Sequence, residues 1–286
     1  MSKITIVTDT AACLPAEAAA KLGIELVPMS VSVGQQTFRE GVDMDMAALY
    51  ELLRRGEMPT TSQPAPGDFL QVFQPLVDAG HQVIGVFVTG KASGTVQSAR
   101  IAAEMLPAGA VTVFDSESFA MGTGLLAIAA AEAALAGHPV DQIIHLLEQL
   151  RSATHVYAAV PTLKYLQKSG RVNMTKALIG RMLNIKPILG TDQGNVQVVD
   201  KARSWPAAIN RMVELIKEAA GGHPVAVAVH HAEDTVAAGE LLAKLQAELD
   251  VRQHYVCDIS ASLAMHGGPG MLGVAFHPAV TSIASS

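Results

Sequence analysis

Three loops carry the side chains whose types and spacing bear chemistry. PTTSQPAP (residues 59–66) offers the hydroxyls of Thr60, Thr61 and Ser62. TGKASGTVQS (residues 89–98) offers Ser93, Thr95 and the backbone amides around Gly94, at a point where a strand turns into a helix. MHGGPGMLG (residues 265–273) offers one imidazole, His266, among four glycines that permit close backbone approach to a ligand. Hydroxyls and free amides at a helix start donate hydrogen bonds to an oxyanion, and the carboxyl end of a parallel strand is the usual ligand position in an open α/β sheet. The same inventory admits a second chemistry, with Ser62 or Ser93 as nucleophile and His266 as base in a serine hydrolase or acyltransferase. The sequence identifies no acidic residue to orient His266 in that role. Each loop also has a plain structural reading: prolines fix the first, its hydroxyls cap or turn the chain, and a lone histidine is most often structural.

Other chemistries lack their constellations. The Ser-Gly-Thr turn has neither the GxxxxGK[ST] spacing of a nucleotide-binding loop nor the GxSxG spacing of a nucleophile elbow. His230 and His231 are adjacent on a strand and point to opposite faces, so they cannot chelate one metal together. Cys13 and Cys257 form no CxxC or Cys/His pattern, so no metal, cofactor or disulfide framework is expected. Asp9 and Asp115 each close an apolar run and read as caps of the next turn or helix. Arg171 in KSGRV and Arg203 in KARS read by default as solvated cations.

The elements that must position these loops alternate between short β-branched runs and amphipathic stretches, the pattern of parallel strands joined by crossover helices. Ile4–Val7, His81–Thr89, Val111–Phe114 and His155–Val160 read as interior strands of one parallel sheet. Met46, Leu49, Tyr50 and Leu53 fall on one helix face, as do Val140, Ile143, Ile144 and Leu147. Near Pro161 the texture changes to a basic, Gly-interrupted helical stretch. The expected division is therefore an N-terminal open parallel-sheet α/β domain over residues 1–160 and a smaller C-terminal α+β domain over residues 161–286. In the second, Ile185–Leu189 and Asn195–Val199 form a hairpin across TDQG, a helix starts at Ser204, and a strand, helix and strand follow to Cys257.

Composition narrows the functions. Across 286 residues, 20 Lys+Arg against 26 Asp+Glu give 20 − 26 = −6, which disfavours nucleic-acid binding. Hydrophobic residues at 50% with a mean hydropathy of +0.31 set disorder aside. Residues 119–137, FAMGTGLLAIAAAEAALAG, approach spanning length but consist mostly of Ala and Gly and carry Glu132, so a buried, tightly packed helix is predicted rather than an integral membrane segment. The apolar run of MSKITIVTDT is too short for a secretory signal, and a cytoplasmic setting is expected.

Eight segments, in order and with matching spacing, resemble the DegV family along the whole chain: VTDTAACLP, REGVDMD, TTSQPAP, TGKASGTVQSA, FDSES, LKYLQKSGRV, NIKPIL and HGGPGMLGVAF. The resemblance implies two α/β-type domains with a long-chain fatty acid held between them. It implies that Thr61, Ser62, Ser93, Gly94 and His266 surround the carboxylate. It further implies a separate fatty acid kinase catalytic subunit that phosphorylates the bound carboxylate for phospholipid synthesis, so that the chain itself is a lipid-binding accessory subunit and not an enzyme. Arg171 and Arg203 match basic positions of a kinase-facing or head-group network. The sequence departs from the family pattern at Thr10 and Ala65, where serine is usual, and at Gly267, where threonine is common.

The magnitudes fit such a ligand. A buried CH₂ contributes about 0.8 kcal/mol, so a dozen or more methylenes contribute on the order of 10 kcal/mol before ordering costs. Against this carrier stand the serine hydrolase or acyltransferase above and a sugar or dihydroxyacetone-type phosphotransfer component, which would need His266 as a covalent acceptor.

Overall fold

The computed structural model describes residues 3–169 and 185–280. The first part of the chain runs β1 (Ile4–Asp9), α1 (Ala16–Leu22), β2 (Glu25–Val27), β3 (Ser30–Val33), β4 (Gln36–Arg39), α2 (Met46–Arg55) and β5 (Thr60–Ser62). It continues through α3 (Pro66–Asp78), β6 (Gln82–Phe87), α4 (Thr95–Glu104), β7 (Val111–Asp115), α5 (Met121–Leu135) and α6 (Val140–Ala153). The remainder runs β8 (His155–Ala159), α7 (Lys164–Ser169), β9 (Lys186–Asp192), β10 (Asn195–Ala202) and α8 (Trp205–Ala220). It ends with β11 (Val225–His231), α9 (Thr235–Glu248), β12 (Val251–Asp258), α10 (Ala261–Gly267) and β13 (Leu272–Pro278).

The strands form three sheets, ordered β2-β1-β6-β7, β10-β9-β8-β13-β11-β12 and β4-β3-β5. The first is wholly parallel, with Ile6 opposite Ile84 and Val86 opposite Phe114. The second is mixed: β11 and β12 are parallel and its other pairings antiparallel. Apolar runs such as ITIVTD and QVIGVF suit a sheet covered on both faces. On one face of the first sheet, α3 and α4 bury Phe69, Phe73, Val96 and Ala99 against Val7, Val83 and Phe87. On the outer face of the second, α8 and α9 bury Met212, Ile216, Leu241 and Leu245 against Val227, Val229 and Val274.

Helix α5 is the wedge between the two sheets, touching β1 and β6 on one side and β11 and β13 on the other. Its small residues permit this. A Cβ on Gly122 would lie 2.6 Å from the Val156 side chain of the second sheet, and one on Gly124 would lie 2.8 Å from the Ala12 carbonyl beside the first. The apolar stretch at residues 119–137 thus contains a helix buried on all sides from Met121 to Ala131 and exposed in its last turn, and no helix among the described residues is long and apolar enough to cross a membrane.

One strand departs from the expected arrangement. The sequence pattern of His155–Val160 predicts an extension of the parallel sheet, whereas β8 joins the second sheet, antiparallel to β9 and β13. Its apolar pattern is the same in either sheet, and the α5–α6 pair carries the chain across the wedge before it begins. The second sheet therefore starts before the 160/161 division. The expected hairpin forms as β9 and β10, with Val196 opposite Thr191, and Ser204 accepts the Ala207 N–H at 3.3 Å to start α8.

Candidate functional site

The carboxyl ends of β1 and β6 face the first turn of α10 and the inner side of β8 and β9, and a cavity lies between them. Its empty space, counted with the open mouth, is about 880 Å³. Its apolar wall comes from both halves, with Met29, Val88 and Phe119 facing Leu189, Val196 and Leu263. The polar part comes from Thr61, Ser62, Gln63 and Ser93 on one side and Ser262 and His266 on the other. None of these lining residues carries a permanent charge.

Each polar group is placed by its backbone. Thr61 and Ser62 belong to β5, where Thr61 sits opposite Val31 and Ser62 opposite Ser30 of β3. Ser93 lies in the turn that closes β6 into α4; its N–H donates to the Thr89 carbonyl at 3.2 Å, and its Oγ lies 2.7 Å from Thr95 Oγ1. Gly94 caps α4 and stands behind Gln63: a Cβ there would lie 2.9 Å from Gln63 Nε2, so the two loops touch at this point. Gly94 itself is not part of the cavity wall. Ser262 and His266 are four residues apart on α10, which puts both on one face. The β9–β10 tip is tied to the same loop, because Thr89 Oγ1 donates to the Gly194 carbonyl at 2.9 Å and Lys91 Nζ to the Gln193 carbonyl at 2.6 Å.

The four side chains Thr61, Ser62, Ser93 and His266, drawn from three separate loops, therefore meet at one cavity. The two arginines do not join them in the described structure. Arg203 is exposed between β10 and α8, seven residues beyond Val196 and so roughly 20 Å away along an extended strand. Arg171 lies outside the described residues.

Behind the wall sit two buried carboxylates. Glu40, 4% exposed, accepts the Ser262 N–H at 2.6 Å, the Ser262 hydroxyl at 3.0 Å and the Thr10 hydroxyl at 2.5 Å. Burial pushes its pKa up, opposed by these donors. Asp9 accepts the Val88 N–H at 2.9 Å through Oδ2, and burial pushes it up to about 7, with the Glu40 charge adding to the shift. Where the sequence suggests a cap for the following turn, the Asp9 side chain instead holds the neighbouring strand. Asp115 does both: it accepts the Glu117 N–H at 3.0 Å, capping its own next turn as expected, and the Gly90 N–H at 3.2 Å, holding the loop that carries Ser93. A short acidic residue closing a strand reaches the adjacent chain as readily as its own next turn, and only the sheet order decides between them. Glu40 and Ser262 are inconspicuous in the sequence, where REGVDMD resembles a solvated acidic turn and Ser262 is an ordinary helix-start residue.

His230 is structural. His230 Nε2 accepts the Met121 N–H at 2.9 Å, pinning the start of α5 to the second sheet, and burial lowers its pKa to about 4. Among the described residues no cluster of three or more His, Cys, Asp or Glu is arranged to hold a metal ion.

Comparison with known proteins gives this geometry a context. The model of the DegV family, whose description is an uncharacterised protein, matches residues 3–279. A DegV domain-containing protein of Caldanaerobacter subterraneus subsp. tengcongensis is 33% identical over 279 residues, 96% of this chain and 99% of that one. A DegV family protein from Thermus thermophilus, solved for its fatty acid binding, superposes with a TM-score of 0.91 at 31% identity, covering 97% of this chain and 100% of its own. DegV from Bacillus subtilis, described as a fatty acid binding protein, superposes with a TM-score of 0.88 at 32% identity, covering 98% of this chain and 100% of its own. A parallel sheet and a separate mixed sheet are thus the architecture of a known family. This chain belongs to the DegV family.

Proposed function

We propose that this protein binds a long-chain fatty acid in the cavity between its two sheets and presents the carboxyl group to a separate fatty acid kinase subunit in the cytoplasm. The observation that carries the reading is the cavity itself, apolar over most of its wall and lined elsewhere by hydroxyl, amide and imidazole groups, in a fold shared with fatty-acid-binding relatives. The tail supplies affinity through burial and the polar groups supply orientation. Thr61, Ser62, Ser93 and His266 receive the carboxylate, and Gly94 leaves room for the Gln63 side chain to pack against the turn that holds Ser93. Hydroxyl and amide donors suit a ligand that must be released. The exposed Arg203 falls to the partner-facing surface in this reading, and Arg171 is assigned to the same network by its sequence motif alone.

The chain acts here as a carrier and not as an enzyme. Ser93 Oγ is engaged with Thr95 Oγ1, an arrangement that serves a turn better than a nucleophile. Denaturing solvent extraction of the purified protein, followed by mass spectrometry, should release one fatty acid species in near-stoichiometric amount. An empty extract, with no thermal stabilisation by added fatty acid and stoichiometric labelling of Ser62 or Ser93 by a serine-directed probe, would replace the carrier with the hydrolase. Incubation of the loaded protein with a fatty acid kinase catalytic subunit and ATP should yield acyl phosphate, and its absence would remove the kinase from the account.

A further inference from the structure

Gly267 closes α10 with no left-handed backbone angle, so its conformation does not require glycine. Its surroundings are nonetheless crowded. A Cβ at this position would lie 2.1 Å from Met271 Sδ, 3.0 Å from Met271 Cε and 3.3 Å from Met271 Cγ, and these three are its nearest neighbours. The thioether arm of Met271 thus occupies the space that a side chain at position 267 would take. Both residues line the cavity, and Met271 is otherwise buried.

The main chain of Met271 is fixed, because its carbonyl accepts the Ala232 N–H at 3.1 Å and the next residue, Leu272, pairs with Ala159 in the sheet. Only the side chain is free to rearrange. Methionine, unbranched and with three rotatable bonds, adapts to irregular space more readily than other apolar residues. The neighbouring wall is apolar, with Ala158 and Leu166 from β8 and α7. A close-packed interior leaves a displaced side chain one direction to move, toward the cavity.

We propose that Met271, folded across Gly267, is the adjustable wall that sets which acyl chains the cavity accepts. The inference rests on the fatty-acid reading above. Replacing Gly267 by alanine drives the Met271 arm into the cavity and shortens the accepted chain. Replacing Met271 by alanine opens the same space and admits longer or bent chains. The double replacement keeps the added Cβ but removes the arm it would displace, so it behaves like the Met271→Ala protein.

The test is a competition assay on delipidated wild-type, Gly267→Ala, Met271→Ala and doubly substituted proteins, using straight-chain fatty acids that differ by single carbons and one cis-unsaturated member. In Gly267→Ala, affinity should fall roughly fourfold for each methylene displaced from the cavity, with short chains unaffected. In Met271→Ala the preference should move to longer chains, and the double variant should match it. Four proteins with one length profile would overturn the proposal. Should Gly267→Ala fail to fold, the profiles of Met271→Ala and the double variant still decide it. Wild-type protein that binds no fatty acid would instead overturn the functional reading beneath it.

Discussion

Glu40 Oε1 accepts the backbone N–H of Ser262 at 2.6 Å across 222 residues of chain. With the Ser262 and Thr10 hydroxyls on Oε2, this carboxylate joins the turn after β4 to the first turn of α10, one element from each half of the molecule. The joint stands one helical turn from His266, so it also fixes the orientation of the cavity wall that α10 provides.

Removing this acceptor leaves buried donors without partners. Glu40→Ala should lower unfolding free energy by about 2–4 kcal/mol and Glu40→Gln by less, since the amide keeps one acceptor oxygen. Urea unfolding monitored by circular dichroism gives the values. A Glu40→Ala protein as stable as wild type would show that the clasp holds nothing together.

Asp9 predicts a pH dependence with a definite sign. Its pKa rises from an ordinary 3.8 to about 7 in the folded protein, so the native state binds the proton more tightly than the unfolded chain. The stabilisation is full below 3.8 and is lost as pH rises through about 7. Asp9→Asn cannot titrate, so its stability relative to wild type should climb by about 2–3 kcal/mol between roughly pH 5 and pH 8. A constant difference across that range would mean that Asp9 is ionised throughout.

His230 gives the opposite slope. Burial lowers its pKa from 6.5 to about 4, so acidification through that window protonates the unfolded chain first and weakens the fold. Its neutral Nε2 is the acceptor for the Met121 N–H at the start of the α5 wedge. His230→Ala orphans that donor and leaves a cavity, and thermal denaturation at neutral pH should register a loss of about 2–4 kcal/mol.

The polar wall should affect binding far more than stability. Thr61→Val and Ser93→Ala each remove one hydroxyl, and each should weaken fatty acid binding roughly five- to tenfold, the equivalent of about 1 kcal/mol. Displacement of a fluorescent fatty acid measures this. Unchanged affinity in both variants would move the carboxylate elsewhere in the cavity.

Much of this molecule is legible in its sequence because much of it is local. The 3.6-residue spacing of Leu49, Tyr50 and Leu53 and the Ser204 cap specify their helices regardless of what lies around them. The three polar loops are visible because each ends or begins a regular element. Hidden features depend on which strands become neighbours. β8 has the composition of either sheet, and β13 comes after a glycine-rich loop that masks its start. Glu40 resembles a surface acid until Thr10 and Ser262, one nearby and one at the other end of the chain, close over it. Gly94, which the sequence assigns to the site, lies one layer behind it against Gln63.

The most direct test of the central claim is photolabelling with a fatty acid that carries a diazirine along its tail. After irradiation and digestion, mass spectrometry should find the adducts on cavity residues of both halves, such as Phe119 and Met29 together with Leu189, Val196 and Leu263, and unlabelled fatty acid should compete them away. Adducts confined to the outer surface, or insensitive to competition, would contradict a fatty acid held between the two sheets.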